Sequence, residues 1–260
     1  MRSPIELEKL ALTAKIKLLE IVHKAEASHV GSSLSSLEIF LTCLNHSQSN
    51  NRIIISKGHA AAGFYAALNV FGILSDEDLD TYGTDGSRLF GHITQDVELG
   101  ITFSTGSLGH GIPYGVGCAL GKKRSGKVGQ VFVVASDGEM DEGTTWESAL
   151  LANHHELDNL CVIVDRNGLQ SIGHTEDTLR LEPLRDKWVA FGWEVIEVNG
   201  HDTKELEDAF CRKTFFPKLI IAKTTKGHGI SFMENDNLWH YRAPDYEQLK
   251  IALSELSGNE

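Results

Sequence analysis

The sequences VFVVASDGEMDEG, residues 131–143, and LCVIVDRNGLQ, residues 160–170, decide the fold of this chain. Each begins with a β-branched apolar run that ends in polar turn residues, which is typical of a buried strand in a parallel sheet. Between them, residues 144–157 have the spacing of an amphipathic helix. The predicted apolar face of this helix consists of Trp146, Ala149, Leu150, Asn153 and Leu157. Together the three segments predict a β-α-β unit.

Two oxygen-bearing side chains follow the two predicted strands, Asp137 after the first and Asn167 after the second. Because the carboxyl ends of neighbouring parallel strands lie side by side, we expect these side chains to converge. One anionic and one neutral oxygen ligand suit Mg²⁺, which keeps positions for water and phosphate oxygens. Gly138 has no side chain, so a diphosphate could approach its backbone N–H at the start of the helix. The sequence predicts a magnesium-diphosphate site, and the alternative on this stretch alone is an ordinary β-α-β unit with polar turns.

Length, charge and cysteine content indicate which classes of protein this chain fits. A chain of 260 residues can bury a large core and fits one α/β domain that spans residues 1–260. The net charge of −12 argues against a nucleic-acid-binding surface. The four cysteines are scattered without a C-x-x-C pair, which is typical of reduced thiols in a cytoplasmic protein. No apolar run approaches membrane-spanning length, and charged residues stand where a signal peptide would need an apolar core. We expect a single cytoplasmic domain with no membrane or nucleic-acid partner.

Further apolar runs extend the α/β pattern on both sides of the central unit. Residues 52–56, 193–198 and 218–223 predict three more strands. Ser3-Pro4-Ile5-Glu6 predicts a capping box at the start of the first helix. A small-residue loop at residues 27–34 precedes a second predicted helix that continues through residue 44. The expected fold class is α/β, with a doubly wound, mostly parallel sheet flanked by helices.

The pair Asp137-Gly138, with Asn167 thirty positions after the aspartate, resembles the signature of thiamine-diphosphate enzymes. The residues that resemble the transketolase branch in particular are Glu142-Gly143, Trp146-Glu147, Asp165, Asn167 and Leu169. The resemblance implies a thiamine-diphosphate-binding fold, with the diphosphate near Asp137 and Gly138. It also implies that Asp137, Asn167 and the backbone carbonyl of Leu169 hold Mg²⁺, or another divalent cation such as Ca²⁺. One departure is Ser136, where the family usually has glycine.

The histidines that fall on the family's cofactor- and substrate-side positions are His29, His59, His92 and His240. The segment Ser56-Lys57-Gly58-His59 matches the family's Ser-x-Gly-His pattern, whose histidine contacts cofactor and substrate. Val30 replaces the usual proline after His29, and Tyr241 replaces the usual glycine after His240. The resemblance implies that His240 also reaches the cofactor phosphate, with His228 as its rival. We expect the four imidazoles to donate hydrogen bonds to sugar hydroxyls and to move protons near neutral pH.

The segment Thr105-Gly106-Ser107-Leu108-Gly109-His110-Gly111 resembles the family's Thr-Gly-Pro-Leu-Gly-Gln-Gly loop. The resemblance implies that Gly106, Ser107 and Leu108 contact the rings of the cofactor. Ser107 and His110 replace the family's proline and glutamine, and a contribution from His110 stays open. The glycine spacing alone would also fit a dinucleotide-binding loop. That alternative lacks a clear preceding strand and an acidic residue at the end of a second strand.

The resemblance runs from His29 to His240 but covers only half of a transketolase. In the family, the glutamate that activates the cofactor belongs to a second, pyrimidine-binding domain, for which this sequence has no room. We therefore expect the N-terminal subunit of a split transketolase, which pairs with a separate pyrimidine-binding subunit in an α2β2 heterotetramer. The implied activity is the transfer of a two-carbon ketol unit between sugars or sugar phosphates. Glu142 and Glu147 are expected at a subunit interface.

Two alternatives stay open on the sequence. The chain could be the α subunit of another thiamine-diphosphate enzyme that acts on a 2-oxoacid, although four histidines favour a substrate rich in hydroxyl groups. It could also be a non-catalytic half that keeps the cofactor fold, an alternative supported by the departures at Val30, Ser107, Ser136 and Tyr241. The sequence does not name the donor sugar, the acceptor sugar or the pathway.

Overall fold

The computed structural model describes residues 1–47 and 50–258, in which five strands form one parallel sheet. The strands are β1 (Arg52–Ile55), β2 (Val131–Ser136), β3 (Leu160–Arg166), β4 (Glu194–Asn199) and β5 (Lys218–Lys223). They lie in the order β1-β2-β3-β5-β4, and every neighbouring pair is parallel. In the register between β2 and β3, Ser136 lies opposite Asp165, so the residues that follow both strands meet at one edge. The predicted central β-α-β unit is confirmed.

Helices lie between the strands and cover the sheet. They are α1 (Pro4–Lys24), α2 (Val30–Leu34), α3 (Leu37–Asn45), α4 (Ala61–Val70), α5 (Asp76–Leu79), α6 (Gly111–Arg124), α7 (Gly143–His154), α8 (Thr175–Thr178), α9 (Leu184–Ala190), α10 (Thr203–Cys211) and α11 (Tyr246–Ser257). Short 3₁₀ turns occupy Gly58–Ala60, Asp137–Asp141 and Asn237–His240. None of the helices in the described part of the chain is long and apolar enough to cross a membrane.

The sheet has a separate hydrophobic core on each face. Alternate strand residues point to opposite faces, so Phe132 and Val134 join the core under α1, α3 and α4. Val131, Val133 and Ala135 join the second core, which includes buried residues of α6, α7 and α9. Because both faces are covered, the strands read as continuous apolar runs rather than alternating ones. The predicted doubly wound α/β class is confirmed.

The predicted capping box at the start of the first helix is confirmed. Ser3 Oγ accepts a hydrogen bond from the Glu6 N–H at 3.4 Å, and a Glu6 carboxylate oxygen accepts one from the Ser3 N–H at 2.7 Å. This reciprocal pair is the predicted capping box, with Pro4 as the first helical residue. The helix buries Leu7, Ala14 and Leu18 against the first core.

Two details of the helix predictions are wrong. Residues 30–34 of the predicted loop form the short helix α2, and the second predicted helix begins only at residue 37, because the Ser35 and Ser36 hydroxyls donate hydrogen bonds to the Asp165 carboxylate. In α7, Leu150 is 59% exposed, whereas the buried residues are Thr145, Ser148, Ala149 and Ala152. Small side chains let the helix lie close to its neighbours, and this placement turns the leucine outward.

Candidate active site

A cavity of about 200 Å³ opens at the carboxyl edge of the sheet. Every residue singled out from the sequence for the site lines this cavity except Ser107, which is exposed outside it. Its lining also includes residues that the sequence analysis did not select for the site: Ser32, Ser136, Gln170 and Ser171. His110 is exposed just before α6 and does not line the cavity. One concave site therefore brings together residues from seven separated segments of the chain.

One wall of the cavity carries four imidazole rings. The ring centroid of His29 lies 4.8 Å from that of His240, 5.4 Å from that of His92 and 5.6 Å from that of His59. The His29 N–H donates to the His240 carbonyl at 3.0 Å, which ties the two loops together. His29 adopts a left-handed backbone with φ of 70°, an unusual conformation for a non-glycine residue. His228 lies elsewhere, with its ring stacked 3.5 Å from that of His201.

Burial and neighbouring positive groups lower the pKa values of these imidazoles. Burial, then His92 and Lys226, lowers the pKa of His29 to about 4. Burial, then Lys226 and His29, lowers the pKa of His240 to about 3. Burial and Lys57 hold the pKa of His59 well below its usual value. These three rings are therefore neutral at pH 7, and each offers one N–H donor and one nitrogen acceptor. Neutral rings can form hydrogen bonds with hydroxyl groups, as expected. Their lowered pKa values do not favour the other expected role, which is to carry a proton near neutral pH.

A second wall of the cavity carries the predicted metal and diphosphate residues. An Asp137 carboxylate oxygen accepts hydrogen bonds from the Gly168 N–H at 2.7 Å and from Arg166 at 3.1 Å. Asp137 is only 1% exposed. Burial, then the negative Asp165, raises the pKa of Asp137 to about 6, against the opposing charge of Arg166. A nearby cation stabilises the ionised form of such a buried carboxylate.

The oxygen atoms on this wall fit a magnesium ion. Asn167 donates from Nδ2 to the Asp165 carboxylate at 3.2 Å, which turns its Oδ1 away from that acid. Asn167 Oδ1 accepts from the Leu169 N–H at 3.0 Å and keeps a second lone pair. With the Asp137 carboxylate and the Leu169 carbonyl, this makes a hard, all-oxygen donor set, the type that Mg²⁺ prefers. Gly138 also lines the cavity, and a Cβ atom there would make an ordinary van der Waals contact with Gln170 at 3.4 Å.

A buried ion pair lies next to both walls. Lys57 and Asp165 form a direct ion pair, and neither side chain has any exposed surface. Asp165 also accepts hydrogen bonds from Ser35 at 2.6 Å and Ser36 at 3.0 Å, and one from Thr224. Burial alone would raise the pKa of Asp165, but the Lys57 charge and these hydrogen bonds hold it below its usual value. Because Lys57 precedes His59 and Asp165 precedes Asn167, the pair links the two walls.

Glu139 fixes the glycine-rich loop at residues 105–111. It is fully buried, and one carboxylate oxygen accepts hydrogen bonds from the Ser56 hydroxyl and from the Gly109 N–H at 3.0 Å. The other oxygen accepts from the Ser136 N–H at 2.8 Å, and the Ser136 hydroxyl lies 3.4 Å from it. The serine that departs from the family pattern is thus accommodated within this network. Gly109 has φ of +80°, and a Cβ atom there would lie 2.6 Å from Glu142, so a larger residue does not fit.

Lys226, which was not among the predicted site residues, is fully buried beside the cavity. Its ammonium group lies 3.2 Å from His240 Nδ1 and 2.9 Å from the Asn237 side-chain oxygen. Burial, then the nearby Lys57, lowers the pKa of Lys226 to about 8, so the group is still mainly charged at pH 7. A buried cation close to the cavity suits an anionic ligand. The available signal was its position shortly after β5, at the same edge of the sheet as the predicted residues.

Comparison with known proteins identifies relatives of this chain. The family described as "Transketolase, thiamine diphosphate binding domain" matches residues 8–255. The chain is 40% identical over 255 residues to a subunit of the apulose-4-phosphate transketolase of Phocaeicola vulgatus, covering 93% of this chain and 90% of that relative. It is 36% identical over 265 residues to 6-deoxy-6-sulfo-D-fructose transketolase subunit SqwG of Clostridium sp., covering 97% and 96% respectively.

Longer relatives contain a similar segment. Human transketolase is 32% identical over 245 residues, which cover 90% of this chain and 39% of that enzyme. The crystal structure of transketolase from Campylobacter jejuni superimposes with a TM-score of 0.88 at 29% identity, covering 99% of this chain and 43% of that one. The chain thus spans nearly the full length of the subunit-sized relatives and less than half of the longer ones.

Proposed function

The chain belongs to the transketolase family, and from that premise we propose that it binds thiamine diphosphate with Mg²⁺ and, with a partner subunit, transfers a two-carbon ketol unit between sugars. One observation carries this proposal. Four imidazoles lie on one wall of a single cavity, and an all-oxygen donor set that includes the buried Asp137 lies on the other. The first wall suits a polyhydroxy substrate, and the second suits a metal-bound diphosphate.

The residues on the diphosphate wall divide the binding task. Asp137, Asn167 and the Leu169 carbonyl would hold Mg²⁺, whose charge offsets that of the diphosphate. The Gly138 N–H lies at the start of a 3₁₀ turn, where a backbone donor can face a phosphate oxygen. Lys226 adds a buried positive charge on the side of His240. Gly106 and Leu108 would contact the rings of the cofactor, and exposed Ser107 would do so only from the cavity mouth.

The imidazole wall would bind and orient the sugar. Bound thiamine diphosphate supplies the carbon that accepts the ketol unit and releases it again. His29, His59 and His240 are neutral at pH 7, so each can donate to one hydroxyl oxygen and accept from another hydroxyl. An anionic cofactor would raise the pKa of His240, because a negative neighbour favours the protonated imidazole. His240 would then be the ring best able to hold a proton during transfer.

A partner chain would complete the site. The cavity carries diphosphate-side and substrate-side residues, and the resemblance assigns the activating glutamate to a pyrimidine-binding subunit. Both subunit-sized relatives described above are named as one subunit of a transketolase, a name that fits an enzyme of more than one chain. We assign this chain to the diphosphate-binding subunit of an α2β2 heterotetramer that acts on sugar phosphates. Glu142 and Glu147, both exposed, are assigned to a subunit interface.

The test is a ketol-transfer assay of the purified chain, with and without a co-expressed pyrimidine-binding subunit. The assay contains thiamine diphosphate, Mg²⁺, a ketose phosphate donor and an aldose acceptor. We expect turnover only with both subunits, the cofactor and the metal. Transfer that persists after complete removal of the cofactor, or an assembled complex that binds cofactor and transfers nothing, would contradict the proposal.

A further inference from the structure

A second group of metal-ligating side chains lies far from the cavity, at the opposite end of the sheet. His46 follows the last residue of α3, and Glu207 and Cys211 lie on α10. The ligand atoms of these three side chains all lie within 4.8 Å of one another. The His46 ring packs near Phe132, close to the amino end of β2, whereas the cavity lies at the carboxyl end.

We propose that His46, Glu207 and Cys211 form a binding site for a thiophilic divalent cation of the zinc type. Imidazole nitrogen, carboxylate oxygen and thiolate sulfur are the three ligand types that Zn²⁺ takes in proteins. Three protein ligands leave a fourth, tetrahedral position for water. The metal would link the end of α3 to the end of α10.

Two of the ligands are already oriented. His46 Nε2 lies 2.8 Å from Glu207 Oε2, and the two side chains are only 12% and 11% exposed. Asn45 donates to the other oxygen of Glu207 at 2.7 Å, which fixes the plane of the carboxylate. The His46 ring is packed 5.3 Å from the Phe210 ring. Such supporting contacts hold ligands in place before the metal arrives.

The third ligand is accessible and brings the strongest preference for zinc. Cys211 is a free and exposed cysteine at the end of α10. The nearby Lys218 does not compete for the ligands, because its ammonium group already donates to the carbonyls of Ala209, Phe210 and Arg212. On metal binding the thiol releases its proton to solvent, and His46 presents Nε2 without its proton. The hydrogen bond between His46 and Glu207 is then replaced by two metal–ligand bonds.

A comparable cluster at Glu38, His201 and His228 does not offer such a site. The Lys15 ammonium group already lies 2.9 Å from the Glu38 carboxylate. Both ring nitrogens of His201 are engaged, Nδ1 with Glu38 at 3.3 Å and Nε2 as the acceptor of the Thr225 N–H at 2.8 Å. A cation there would have to displace a lysine and two hydrogen bonds. At the His46 cluster a cation would displace only the hydrogen bond between His46 and Glu207, and no lysine side chain pairs with Glu207 there.

The test is a Co²⁺ titration of the full chain, reduced and without thiamine diphosphate. Co²⁺ bound to a thiolate gives a near-ultraviolet charge-transfer band that oxygen and nitrogen ligands do not give. We expect one equivalent of Co²⁺ to produce this band, and one equivalent of Zn²⁺ to abolish it. The band should disappear in Cys211→Ser, and the apparent Co²⁺ affinity should fall more than tenfold in His46→Gln and Glu207→Gln.

Cys118→Ser is the matched control, because Cys118 is the other free cysteine with some exposure. It should keep the band unchanged. Circular dichroism confirms that each variant is folded, and the exposed Cys211 makes its serine variant the safest of the three. A wild-type titration without the band, or an undiminished band in Cys211→Ser, would overturn the proposal.

Discussion

The Arg166 guanidinium lies 3.1 Å from the Asp137 carboxylate, and its other terminal nitrogen contacts Glu176 at 2.8 Å and Glu182 at 3.1 Å. Arg166 therefore supplies the positive charge beside a buried carboxylate that we assign to the metal. It also connects that carboxylate to α8 and to the segment that follows it. A divalent cation bound by Asp137 would replace part of this role, while Arg166 would keep its two glutamate partners.

We predict that Asp137→Asn abolishes the magnesium dependence of cofactor binding. Asp137 is only 1% exposed, so asparagine is chosen because it keeps the side-chain volume. A neutral amide binds Mg²⁺ more weakly than a carboxylate does. Thiamine diphosphate affinity is measured calorimetrically with the partner subunit, both with and without Mg²⁺. With Mg²⁺ it should fall at least ~10-fold, since even residues that only support ligands contribute 10–100-fold, and it should no longer depend on Mg²⁺. Asp85→Asn, at an exposed position, is the control, and equal affinities in the two variants would remove Asp137 from the site.

We predict that His59→Gln and His240→Gln lower ketol transfer much more than they lower cofactor affinity. Both rings line the cavity, 5.8 Å apart, and glutamine keeps hydrogen bonding but, unlike a neutral imidazole, cannot take up a proton during transfer. Acid–base groups contribute ~10²–10⁴-fold to rate. The measurement is turnover at saturating cofactor in the assembled enzyme. His228→Gln is the matched control and should keep nearly full turnover, because His228 stacks on His201 outside the cavity lining. Full turnover in His240→Gln together with a large loss in His228→Gln would show that His228, and not His240, has this role.

We predict that Lys57→Met destabilises the protein by ~3–5 kcal/mol, because it leaves the buried Asp165 without its countercharge. The control is Lys223→Met at an ion pair of similar length near the surface. Lys223 lies 2.6 Å from Glu197 but is 66% exposed, so its loss should cost ~0–1 kcal/mol. Urea unfolding of both variants gives the two free energies. Similar losses in the two variants would mean that the buried pair contributes no more than a surface pair.

The sequence predicted the site best where its residues lie at the carboxyl ends of neighbouring strands. Asp137 and Asn167 directly follow β2 and β3, and the register that sets Ser136 opposite Asp165 brings both to the cavity lining. The strands themselves were predictable because burial on both faces requires uninterrupted β-branched residues. Four widely separated histidines were brought together only through a family resemblance, since no local pattern relates their positions.

The remaining features depend on tertiary contacts that leave no local signal. A fully buried lysine such as Lys57 or Lys226 has the same sequence appearance as a solvated one. Leu150 was placed on the wrong face because small residues, rather than the leucine, form the buried face of α7. Ser107 lies within the predicted loop, but the path of that loop turns it to solvent. In each case the decision depends on packing against residues distant in the sequence.

We predict that His29 makes the protein less stable in mild acid. Its pKa is about 4 in the folded state and 6.5 in the unfolded state, so between these values only the unfolded chain takes up the proton. The contribution is therefore fully present above pH 6.5 and is lost as the pH falls toward 4. The slope is at most ~1.4 kcal/mol per pH unit and is smaller here because the ring is only partly buried.

The raised pKa of Asp137, about 6, acts in the opposite direction, because the folded state then takes up a proton first. Wild type is therefore compared with His29→Gln, because both proteins contain Asp137 and its contribution cancels in the difference. The free energy of unfolding should fall less in His29→Gln than in wild type between pH 7 and pH 5, as measured by urea unfolding at each pH. Parallel pH profiles would mean that His29 titrates alike in both states.

The last prediction is that the chain is inert alone and becomes active in a two-fold symmetric assembly with a pyrimidine-binding subunit. Exposed apolar side chains lie close in sequence to cavity residues: Phe90 is 52% exposed, Ile172 76% and Tyr241 60%. Apolar surface beside a functional site is typical of an interface. The solution mass of the mixed subunits, measured by light scattering, should equal two copies of each, and transfer should appear only in that fraction. Ile172→Glu should weaken the assembly without changing the fold of the isolated chain, whereas Val128→Glu, at a 73% exposed valine, should leave it intact. Full transfer by the chain alone would refute the split-enzyme proposal.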